Sequence, residues 1–232
     1  MRLLILCFLS IFIVSNSCLA DKETASSFWF MSLTRMTLSD DYRSFIDLQP
    51  RTALNGVGDD TDGDVRQLLM RGALGYQLSE NTGLYQGYAV IPTYEPKKVE
   101  HRSFQELLIS DPWESFKLVH RVRFEQRLLE GSENIALRGR YFIRFTKPIP
   151  SLENFSLASN EEVFFNLNDA NNGPDTGFDQ NRLFLGVNYR VSKSLSFDLG
   201  YQHQHVNRRG GKDDVSNHIL FFGVLSNFDL RG

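Results

Sequence analysis

The sequence predicts an all-β fold: an antiparallel, up-and-down transmembrane β-barrel of about 10–12 strands, with twelve preferred. Three observations predict it. Apolar and polar residues alternate with a period of two along most of the chain, while helical periodicity is nearly absent. One alternating face carries Phe, Leu, Tyr and Val, and the other is dominated by Arg. An apolar leader of the export type precedes the alternating part.

Residues 1–20 read as a secretory signal peptide. Arg2 is followed by an apolar run from Leu3 to Val14 and by a small, polar end from Ser15 to Ala20. The run is too short to cross a membrane. Cys18 follows Ser15-Asn16-Ser17, which does not fit a lipid-attachment motif. Cleavage after Ala20 leaves a barrel domain at 21–232 that has lost both cysteines, Cys7 and Cys18, so no disulfide or thiol-based metal site is expected in it. It keeps 24 basic and 28 acidic residues, which excludes a generally basic nucleic-acid binder. The longest later apolar run, Ile219 to Leu225, has seven residues, too few for a membrane-spanning helix.

Eleven strands are predicted, at 28–38, 42–51, 66–78, 83–92, 99–109, 116–129, 137–145, 155–167, 182–191, 195–202 and 217–228. The first is marked by its aromatic and β-prone residues. In the second, Tyr42, Ser44, Ile46 and Leu48 oppose Arg43, Phe45, Asp47, Gln49 and Arg51. The sixth sets Arg121, Arg123, Glu125 and Arg127 in one row. In the seventh, Leu137, Tyr141, Ile143 and Phe145 oppose Arg138, Arg140 and Arg144. The ninth and tenth oppose Leu183, Leu185, Val187 and Leu195, Phe197, Leu199 to Arg182, Arg190 and Asp198. Single-chain bacterial barrels have even strand counts. Either 99–109 is therefore no strand, giving ten, or one strand is missing from the pattern, giving the preferred twelve. Tight connections at 39–41, 79–83 and 192–194 alternate with long polar ones at 52–64, 168–178 and 206–216, as expected of a barrel with a short-turn and a long-loop side. Trp29, Tyr42, Tyr76, Tyr94, Trp113 and Tyr201 fall towards segment ends, where interfacial girdles form.

In a closed barrel within lipid the apolar face meets acyl chains and the polar face lines the lumen. Alternation then places Arg43, Arg51, Arg71, Arg102, Arg121, Arg123, Arg127, Arg138, Arg140, Arg144, Arg182 and Arg190 inside, against the acids Asp47, Glu106, Glu125, Glu162 and Asp198. Arg suits such a lumen because its planar fork binds several partners and stays charged. Rings of inward Arg favour an anion-selective pore. The competing expectation is a rigid, plugged barrel whose charges satisfy one another.

Several stretches resemble a family of bacterial outer-membrane barrels known as domain of unknown function 2490. They are Arg71-Gly72-Ala73-Leu74-Gly75-Tyr76, Gly87-Tyr88, Glu100-His101-Arg102 with Gln105, His120 to Arg127, Arg138-Gly139-Arg140-Tyr141 and Phe178 to Arg182. The resemblance covers nearly the whole exported chain and implies a monomeric barrel in the outer membrane of a Gram-negative bacterium. It supplies no catalytic residues. The expected partners are outer-membrane lipid, lipopolysaccharide and the barrel-insertion machinery. The terminal strand with Leu220, Phe222, Val224 and Phe228 departs from the usual aromatic insertion signal, because Asp229 to Gly232 follow it.

Two other chemistries are read from the loops. His203, His205, Asp213, Asp214, Ser216 and His218 surround one presumed external loop, which suits a rim-located lipid or lipopolysaccharide hydrolase, although no nucleophile elbow is present. The acidic turns at 59–64 and 168–179 could hold divalent cations, but the first lacks the twelfth-position Glu of a helix-loop-helix calcium site. His203 and His205 share one strand face, a pairing that suits a metal but reads better as interface-facing imidazoles, and no cofactor motif or Gly-rich phosphate loop is read. A soluble periplasmic β-barrel binding protein is the third expectation.

Overall fold

The computed structural model describes residues 22–55, 64–208 and 213–231. The predicted signal peptide and most of the 59–64 acidic turn lie outside the described residues. Eleven strands form among the described residues: β1 (Lys22–Thr37), β2 (Tyr42–Asn55), β3 (Val65–Ser79), β4 (Thr82–Tyr94), β5 (Lys97–Pro112), β6 (Lys117–Leu129), β7 (Ala136–Pro148), β8 (Phe155–Asn166), β9 (Gly177–Arg190), β10 (Leu195–Val206) and β11 (Asp214–Asp229). Each contains most or all of one predicted segment, and segment 99–109 lies wholly within β5.

Each strand pairs with its sequence neighbour in antiparallel register, and β1 pairs with β11 to close the barrel. The closing pair is parallel and continuous, from Lys22↔Asp214 to Thr37↔Asp229. Eleven lies inside the predicted 10–12 but is neither of the even counts that the pairing rule favoured. An odd ring of alternating strands must contain one parallel pair, and this seam is that pair. It is bridged inside by Ser27 Oγ donating to Asn217 Oδ1 (3.0 Å) and outside by the Phe30 and Phe222 rings, 6.0 Å apart.

The connections sort by side. The tight links at 38–41, 80–81, 113–116 and 191–194, together with 149–154, share one rim. The links 130–135 and 167–176 share the other rim with the two-residue turn at 95–96, so that side is not built of long loops alone. Aromatic pairs belt the tight-turn rim: Tyr42–Tyr76 at 5.5 Å, Trp113–Phe116 at 5.5 Å and Phe155–Tyr189 at 4.7 Å between centroids. The shortest strands have twelve residues and span about 30 Å along the axis at a tilt near 40°.

Side chains divide by parity. Ile46, Leu74, Leu84, Val122, Leu157, Leu185, Leu199 and Leu220 are exposed on the outer wall. The packed interior is the lumen itself, where Phe104, Phe164, Phe184, Ile219, Asp47, Glu125 and Asp198 are buried. Trp29, expected in an interfacial girdle, instead faces inward and is only 6% exposed. It shares a face with Ser27, Met31, Leu33 and Arg35, the β1 face turned to the lumen. Inward glycines let the aromatic rings lie flat on the wall. A Cβ on Gly87 would collide with the Phe104 ring, and one on Gly75 with the Tyr85 ring.

Candidate functional site

Register turns the inward rows into an alternating lattice of arginine and carboxylate. Glu106 on β5 faces Arg123 on β6, and Glu125 faces Arg138 on β7. Arg123 donates to Glu106 through Nε (2.7 Å), and its guanidinium lies 4.4 Å from the Phe104 centroid. Arg121 reaches Glu162 Oε1 at 2.6 Å, with Glu106 at 3.7 Å on its other side. Arg140 bridges Glu162 Oε1 (2.7 Å) and Glu125 Oε1 (2.6 Å). Arg138 takes Glu125 Oε2 (2.6 Å) and Asp179 Oδ2 (3.1 Å). The chain Glu106–Arg121–Glu162–Arg140–Glu125–Arg138–Asp179 therefore ties β5 to β9 through alternating charges.

Smaller pairings extend it. Arg71 bonds Asp47, its register partner across β2 and β3. Arg144 donates to Asp198 Oδ1 at 2.8 Å, which Asn188 also bonds at 2.8 Å. Arg127 and Arg102 share Glu100, at 2.6 and 2.8 Å. Charges held this deep persist only because each has partners of opposite sign or faces an aromatic ring.

Of the arginines and carboxylates singled out from the sequence, Arg71, Arg121, Arg123, Arg127, Arg138, Arg140, Arg144 and Arg182, with Glu162, line one cavity of about 930 Å³. Glu125 lies behind that surface, fully buried. Arg190 stands apart: it is exposed at the end of β9, near the tight-turn rim, and does not line the cavity. Alternation had not singled out Glu100, Arg35 or Trp29, although Glu100 shares a face with Arg102 and is readable by the same parity. Thirteen lining side chains are cationic (twelve Arg and Lys117) and four are acidic. Asp47, Glu125 and Asp198, which bond arginines of that wall, still leave an excess of six positive charges among the described residues.

The loop candidates resolve differently. On the outer face, His203 Nε2 lies 2.8 Å from Ser216 Oγ, Tyr201 Oη 2.6 Å from His218 Nδ1, and His205 3.5 Å from Asp214. Asp213 accepts from Arg208 through its backbone carbonyl. Tyr88–His101 (2.9 Å) and His120–Tyr141 (2.8 Å) repeat the Tyr–His pairing on neighbouring hairpins. In the 168–179 stretch, Asn168 Oδ1 accepts from the Leu137 amide (2.7 Å) and Asp169 Oδ1 from that of Thr176 (2.6 Å). Asn168 thus ties the β8–β9 connection to the start of β7, Asp169 folds it on itself, and its Pro174 lines the cavity.

A closed β-barrel with an apolar outer wall and a charged, cavity-bearing interior is a porin-like barrel. The NanC porin matches its fold with a TM-score of 0.50 over 82% of this chain and 92% of the porin chain, at 10% sequence identity. The chain belongs to the family described as protein of unknown function DUF2490, which matches residues 26–216. An uncharacterized protein of Methylorubrum extorquens is 29% identical over 190 residues, 80% of each chain.

Proposed function

We propose that the protein is an outer-membrane barrel that serves as a narrow, passive pore for small anions or acidic oligosaccharides. The observation that carries this reading is the excess of six positive charges around the cavity. Rings of fixed cations in a narrow, partly desolvated path raise the local concentration of anions and repel cations. The paired arginines fix the wall, and the surplus ones set the sign of the field. The apolar outer wall and the aromatic belt at one rim support a bilayer location.

In planar bilayers under a KCl gradient the reversal potential is expected to show chloride preference. No current, or cation preference, overturns the pore reading. The protein is expected in the membrane fraction, with heat-modifiable migration on gels; recovery in the soluble fraction overturns the membrane location.

The His203–Ser216 contact favours a second reading, a rim-located lipid or lipopolysaccharide hydrolase. Replacing His203, His205 and His218 together by alanine then abolishes turnover of labelled lipid. Unchanged turnover removes that reading.

A further inference from the structure

Four cavity-lining guanidiniums stay outside the lattice: Arg35, which is exposed, Arg43, which bonds backbone carbonyls of the 39–42 turn, and the more deeply set Arg51 and Arg182. Arg51 and Arg182 both line the cavity. Among the described residues Arg51 donates only to amides, Gln67 Oε1 at 2.7 Å and Gln49 Oε1 at 3.1 Å. Arg182 makes no ion pair or hydrogen bond among the described residues. Its register partner on β8 is Glu162, but that carboxylate is taken by Arg121 and Arg140. Both cations are instead held by rings. Arg51 lies 4.0 Å and Arg182 5.0 Å from the Trp29 centroid, and Arg182 lies 4.7 Å from that of Phe164.

Two like charges fixed beside one indole, neither bonded to a carboxylate among the described residues, lack the direct pairing that the lattice arginines receive. Their Nε atoms are covered and unbonded, so any partner must come to the terminal nitrogens from the cavity side. Buried Gln202 adds a further donor, Nε2, that has no partner. It lies two positions from Gln204, the register partner of Arg182 on β10. We propose that Arg51 and Arg182, held by Trp29, form a binding site for the carboxylate of an acidic sugar, with the neighbouring glutamine amides meeting its hydroxyls. Guanidinium forks match a carboxylate, and neutral amides suit hydroxyls because they both donate and accept. This rests on the lumen being a path for anions, and it names what the path selects.

Trp29 and Trp113 are the only tryptophans, so Trp113→Phe leaves Trp29 as the sole indole reporter. In detergent micelles, glucuronate is expected to change its fluorescence saturably, and glucose is expected to leave it unchanged. Inorganic phosphate separates a sugar carboxylate from any oxyanion: an equal phosphate response overturns the sugar assignment. Arg182→Gln in that background is expected to weaken glucuronate about tenfold or more, because a charge-assisted bond is lost. Lys193→Gln, in the β9–β10 turn, is expected to leave binding unchanged. A glucuronate response no larger than that of glucose overturns the site even if Arg182→Gln fails to fold. Chloride preference in bilayers with silent fluorescence removes the site and leaves the pore; saturable binding without current does the reverse.

Discussion

Glu125→Gln is expected to destabilise the barrel by about 3–5 kcal/mol, the cost of breaking a buried ion pair from one side. Glu125 is 1% exposed and accepts from Arg138 through Oε2 and from Arg140 through Oε1. Arg123 stands 3.7 Å away. Glutamine keeps the shape but removes the charge that these guanidiniums surround, leaving cations close together in a confined space. The measurement is the urea midpoint of the folded, fast-migrating gel band. Arg231→Gln, which breaks the exposed pairs with Asp229 and Asp40, is expected to leave that midpoint nearly unchanged. Equal shifts for the two variants would show that the lattice adds nothing beyond surface pairing.

Gly186→Val is expected to be damaging for a steric reason. Gly186 and Gly200 are register partners on β9 and β10, both facing inward beneath the Phe184 ring. A Cβ on Gly186 would stand 2.8 Å from the Gly200 Cα and 2.7 Å from Phe184 Cζ, and would collide with the Leu199 carbonyl. The ring could turn away, but the neighbouring backbone cannot move without opening the β9–β10 ladder. Overpacking of this kind costs about 1–3 kcal/mol or more. Gly139→Ala, whose Cβ would meet only Leu167 at 3.9 Å, is the contrasting case, expected to change stability by about 0.5 kcal/mol or less. Heat-modifiable migration as a function of temperature separates the two.

Much of this architecture was legible from alternation, because a period of two is a direct imprint of a two-sided wall. Strands such as β6, β7, β9 and β10 carry unlike faces, so their inward residues could be assigned. Face is not partner, however. That Glu125 serves both Arg138 and Arg140 while Arg182 is left without a carboxylate depends on register and on side-chain reach across several strands. Neither is encoded in any one segment. β1 hid its orientation for a different reason: Phe28, Trp29 and Phe30 are all aromatic, so parity offered no contrast, and Trp29 was placed by its nearness to a segment end. The odd strand count was equally opaque. The alternating segments numbered eleven, and only the parallel pairing of β1 with β11 explains how eleven can close.

That seam also orders events in time. Every other junction joins strands adjacent in the chain and can form as a hairpin, on a microsecond scale when isolated. The β1–β11 junction brings together residues as far apart as Ser27 and Asn217, after all the hairpins between them exist. Its hydrogen bonds are slanted and slightly weaker per residue than those of an antiparallel ladder. The barrel therefore has a built-in last stitch: the join made latest in assembly, and with sixteen paired positions the longest ladder in the wall, its length offsetting its weaker bonds.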